Sequence, residues 1–145
     1  MEKGSIGKGF VKGAITFLMM SLAPLFIVRI MRNLRPNLQV FANLESVVLI
    51  GVLIAALTFA REIKRGESAE FIIGIIGTLF SMFYVIELFS GPAGLGVICV
   101  YYGRIAMALN LKKYVFLLLG SLCVGLLVDL IELLRSVRCG LKATN

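Results

Sequence analysis

The chain has 145 residues, 59% hydrophobic and 16% charged, with a net charge of +7 and a mean hydropathy of +0.98. Soluble domains carry about 45–50% apolar and about 25% charged residues, so a soluble core of this size cannot hide the surplus and lipid must be its solvent. The absence of His excludes Ser-His-Asp triads, Cys-His dyads and His-ligated metal sites.

The basic residues cluster at the ends of apolar runs, which suits anionic lipid headgroups and leaves no long basic face for nucleic acid. Cys99, Cys123 and Cys139 lie apart and form no C-x-x-C pair, so no zinc ribbon or redox dithiol is signalled. Neither a cofactor nor a metal is expected.

Met1 to Lys12 reads as a short, basic, glycine-rich N-terminus. The apolar run that follows ends at Arg29 without a small-residue cleavage site, so it reads as a retained first span over about residues 13–31. Within it, Pro24 removes the N–H that would serve the Met20 carbonyl, and a kink is expected there. Arg29, Arg32 and Arg35 recur every third residue as an interfacial basic collar. Asn37 to Asn43 reads as a loop or helix entrance.

The second span is expected over residues 46–60, with Gly51 and Ala55 as a small-xxx-small pair that lets another helix approach closely. Arg61 to Glu70 carries both signs of charge and reads as a solvated loop. The third span is expected over residues 71–90. Gly74, Gly77, Thr78 and Ser81 share one small face on it, suited to helix packing, and Glu87 lies on another face.

From Phe71 to Gly103 the only ionisable carboxylate or base is Glu87, and the run is too long for one straight span. Gly91, Pro92, Gly94 and Gly96 mark a break. Leu95 to Leu109 is apolar all round except for Arg104, which predicts a fourth helix buried in lipid or protein. The last span is expected over residues 114–134, before a basic tail. On it Ser121, Gly125, Asp129 and Glu132 share a face with Tyr114 and Leu118, on an otherwise apolar helix. A carboxylate in mid-membrane costs about 2.5–3.5 kcal/mol and usually faces a bundle interior or a wet path. The plainer reading puts Asp129 and Glu132 at the far interface, paired with Arg135 or Arg138.

The expected fold is an all-α integral membrane bundle of five hydrophobic helices, in one domain over residues 1–145. The alternative has four full spans, with Leu95 to Leu109 re-entrant or outside. With the N-terminus inside, five spans put eight basic residues inside against six outside; four spans give nine against six. The charge rule separates these poorly.

The expected function is an oligomeric channel or transporter for an ion, proton or small solute. Its pathway would use Asp129, Glu132, Ser121, Glu87 and Arg104, with Gly51, Ala55, Gly74, Gly77, Ser81 and Gly125 packing the helices. The alternative is a non-catalytic accessory or scaffold subunit of a larger membrane complex. Partners would be the bilayer, anionic headgroups and copies of the chain or other membrane subunits. Enzymatic activity is not expected, since no Ser/His, Ser/Lys or paired-Asp motif appears. A prokaryotic plasma membrane with a cytoplasmic N-terminus is the expected setting.

Overall fold

The computed structural model describes residues 4–34, 44–91, 94–102 and 105–143. Arg35, Arg104 and the loop expected at Asn37 to Asn43 lie outside the described residues.

The first long helix runs through α1 (Gly4–Phe17), a π-helical segment (Leu18–Leu22) and α2 (Ala23–Leu34). Helix α3 (Leu44–Ile63) and helix α4 (Ser68–Phe89) follow, and α5 (Lys112–Ala143) closes the chain. Among the described residues, four helices are long and apolar enough to cross a membrane, over Ile6–Ile30, Leu44–Ile63, Ser68–Phe89 and Lys112–Arg138. Their main contacts follow chain order: the first helix packs on α3, α3 on α4, and α4 on α5. The first helix therefore starts, and α3 and α5 finish, at the end of the bundle called here the terminal end. Helix α4 finishes and α5 starts at the opposite end.

The helix expected at Leu95 to Leu109 is not seen among the described residues, which form strands instead. Strand β1 (Ser90–Gly91) pairs with β2 (Gly94–Leu95), and β3 (Val97–Tyr102) pairs antiparallel with β4 (Ile105–Asn110), from Val97↔Asn110 to Tyr102↔Ile105. All-round apolarity fits a strand as well as a helix. Val97, Ile98, Val100, Tyr101 and Tyr102 are β-branched or aromatic, which favours the pleated form. Gly94 and Gly96 take φ of 102° and 74°, in the left-handed region that stops a helix. At Gly96 a Cβ would lie 2.9 Å from Lys112 Cα, so the turn also needs glycine to approach the start of α5. Open strand edges are unsuited to hydrocarbon. The hairpin joins α4 to α5 at the end opposite the termini, where such edges can meet water.

The π segment has a local cause. The Ala23 N–H donates to the Leu18 carbonyl, five residues back, and Pro24 has no N–H to offer Met20 in the α register. The Tyr84 hydroxyl of α4 donates to that Met20 carbonyl at 2.8 Å. The expected kink is thus a bulge stitched to a neighbouring helix. Gly51 permits the approach of α3, since a Cβ there would meet Met20 O at 2.6 Å and Ser21 Oγ at 2.7 Å. Val47, Ile54 and Tyr84 form the buried apolar cluster beside it, flanked by Met20, Ile50, Phe80 and Leu88.

Candidate functional site

A charged pair near the bundle interior comes from two helices and is seated on a third. Arg61, near the end of α3, donates from Nη2 to Asp129 Oδ1 on α5 at 2.6 Å. The Asp129 side chain is 10% exposed and that of Arg61 39%. The pair fits because α4 offers glycine between them. A Cβ on Gly74 would lie 2.6 Å from Asp129 Oδ2 and 2.9 Å from Arg61 Cζ. Gly74 is six residues into α4, about 9 Å from its start, so the pair sits more than one helical turn inside the terminal end of the bundle.

Next to this pair, α3 and α4 flank a half-open cavity of about 140 Å³, lined by Ile54, Leu57, Thr58, Arg61, Ile73, Gly74, Gly77, Thr78 and Ser81. A water needs about 10–15 Å³ of such space and several polar partners. The partners are present. Thr58, Thr78 and Ser81 donate to the carbonyls of Ile54, Gly74 and Gly77, so their hydroxyl lone pairs remain free to accept. Ser81 is 13 residues into α4, about 20 Å from its start. The cavity therefore extends from the ion pair to mid-helix depth, where the Val47, Ile54 and Tyr84 cluster closes the bundle.

The other expected site residues fall elsewhere. The seam of α5 runs along Val115, Leu119, Leu122, Leu126, Asp129, Leu133 and Ser136, all buried or half-buried. The face expected to be interior lies about one residue's rotation away. Ser121 and Gly125 are exposed, and a Cβ at Gly125 would meet no neighbouring helix within 4 Å. Glu132 is half-buried beside the seam. Glu87 is half-buried near the far end of α4, 13 residues or about 20 Å along the helix from Gly74, so it does not meet Asp129. Arg29 is exposed on α2, and Arg32 lies on the same helix.

Among the expected packing residues, Gly51, Ala55 and Gly74 are buried. Gly77 is not a close contact: its Cβ would meet only Leu57 Cβ, at 3.9 Å. Gly77 and Ser81 line the cavity instead.

No family model matches the chain, and no curated protein or solved structure matches it.

Two features escaped the sequence reading. Arg61 was expected in a solvated loop, but α3 continues through Ile63 and a turn ends at Gly66, with φ of 86°. Gly66 is the stop signal that keeps Arg61 and Glu62 helical. The second is the Gly9-xxx-Gly13 spacing on α1. Both glycines are buried against α3, where a Cβ on Gly9 would lie 3.2 Å from Glu62 Cβ and one on Gly13 3.2 Å from Phe59 Cβ.

Proposed function

We propose that the chain is a small membrane transporter that moves a proton or small polar solute through the cavity between α3 and α4. The Arg61–Asp129 pair is the charge that the passing species meets. The observation that carries this reading is a cavity of about 140 Å³ with three hydroxyls, one end of it held by an ion pair from two other positions in the bundle. Such a half-open polar space is costly for a purely structural helix pair, because close apolar packing would be more stable. The apolar cluster around Tyr84 closes the far side, which favours a carrier that changes shape over an open pore. Four spans put nine basic residues on the side of the termini against six on the other, so this side is assigned to the cytoplasm of a prokaryotic plasma membrane.

The test is flux into liposomes carrying the purified protein, with an internal pH dye and an imposed gradient. Wild-type protein is expected to pass protons or a co-moving solute above empty liposomes. Asp129→Asn is expected to reduce that flux about tenfold or more while keeping the helical spectrum. Wild-type flux at the level of empty liposomes across protons and common small ions and solutes overturns the reading.

A second reading is favoured by one observation. Gly120 and Gly125 on α5 have open space where a side chain would be, and Ser121 beside them is exposed. Such a face suits a further helix, from another copy or another subunit, as a scaffold role requires. Disulfide trapping of Ser121→Cys in native membranes, in a background without the native cysteines, separates a covered face from one that meets only lipid.

A further inference from the structure

At the terminal end, where α1 starts and α3 finishes, an open groove of about 390 Å³ is lined by Gly7, Lys8, Val11, Lys12, Glu62 and Arg65. Glu62 is its anchor. Its side chain is 10% exposed, and each oxygen is used: Lys12 Nζ donates to Oε2 at 2.8 Å and Arg65 Nη1 to Oε1 at 3.3 Å. The two cations are fixed in place but not consumed, since an ammonium has three donors and a guanidinium five. Their side chains remain 56% and 64% exposed.

Lys8 stands one helical turn before Lys12, on the same face, and makes no ion pair among the described residues. Like charges at this spacing repel. Among the described residues, three cations around one carboxylate leave two positive charges unmatched, so the rim of the groove can hold an anion. The remaining lining is apolar: Gly7 adds no side chain, and Val11 is exposed, with Ile6 and Phe10 exposed on the same helix. A free anion has no use for that wall, whereas an amphiphile does.

We infer that this groove is a binding site for an anionic glycerophospholipid, with the phosphate held by Lys8, Lys12 and Arg65 and the glycerol and first methylenes against Gly7 and Val11. Glu62 is a positioning residue: it orients Lys12 and Arg65 without touching the lipid. The site is independent of the transport reading, because none of its residues lines the cavity between α3 and α4.

The experiment is native mass spectrometry of the full chain released from detergent, titrated with phosphatidylglycerol or with phosphatidylcholine. The wild type is expected to retain one phosphatidylglycerol in preference to phosphatidylcholine. Lys8→Gln with Arg65→Gln, which leaves the Lys12–Glu62 pair, is expected to weaken that retention about tenfold. Lys8→Gln alone breaks no ion pair and is expected to weaken it severalfold, so a fold defect in the double variant does not decide the matter. Lys112→Gln with Lys113→Gln, at the other end of the bundle, is expected to change nothing. Equal retention of both lipids overturns the proposal. So does unchanged retention in the Lys8 variants, an equal loss in the Lys112 and Lys113 variant, or complete displacement of the lipid by millimolar inorganic phosphate.

Discussion

Gly74 carries more of this structure than its size suggests. A methyl group there would collide with both members of the Arg61–Asp129 pair. Gly74→Ala is expected to destabilise the protein by about 1–3 kcal/mol, as overpacked interiors do. Gly77→Ala, three residues on, points its methyl toward cavity space and is expected to be neutral or slightly stabilising through helix propensity. Unfolding midpoints of the two variants in one detergent check the contrast. The ion pair itself has a sharper signature. Asp129→Leu leaves the guanidinium without its partner and is expected to cost about 2 kcal/mol, held down because Arg61 can turn toward the interface. Adding Arg61→Met is expected to restore much of that loss, since an apolar pair of similar volume often replaces a buried ion pair without penalty. The pair was half legible in the sequence. A carboxylate deep in an apolar run announces a partner, but the partner lies 68 positions away, where local charge density disguises it as loop.

The sequence was most informative where a residue type has only one common use. Pro24 located the irregular turn of the first helix, and the Met20 carbonyl it leaves open is the one Tyr84 reaches. Tyr84→Phe is expected to lose about 1 kcal/mol of stability. In a Pro24→Ala background, where residue 24 supplies its own N–H, the same change is expected to cost less, and a double-mutant cycle measures the difference. Gly51→Ala would drive a methyl into Met20 O and is expected to be the most damaging single methyl in this region. The bulge also explains a spacing. Gly9 and Gly13 are buried on one side of it and Pro24 and Val28 on the other, 15 residues apart. Two heptads make 14, and the extra residue is absorbed in the π segment, which keeps both halves facing α3. The segment from Leu95 to Leu109 was not legible, because apolarity without a period does not distinguish a buried helix from a strand. Its β-branched and aromatic composition was the available signal.

The four helices put both described ends of the chain on one side of the bundle and the hairpin on the other. Single cysteines at Ser90 and Lys113, in a background lacking Cys99, Cys123 and Cys139, are expected to react with an impermeant reagent from the same side. Cysteines at Gly66 and Lys142 are expected to react from the opposite side. Composition alone pointed to lipid as the solvent, but charge counting could not separate four spans from five, because eight basic residues against six and nine against six are nearly the same bias. The cross-links between helices are distributed unequally as well. Lys12–Glu62, Arg61–Asp129 and Ser68–Ser136 tie α1 to α3, α3 to α5 and α4 to α5, all toward the terminal end. Ser21 donates to the Val48 carbonyl and Tyr84 to that of Met20, four residues from the start of α3 and five from the end of α4, so the helices are tied toward the hairpin as well. In mechanical terms the molecule is a sheaf tied twice, by mainly charged side chains toward the terminal end and by neutral hydroxyls toward the other, so ionic strength loosens chiefly the first band.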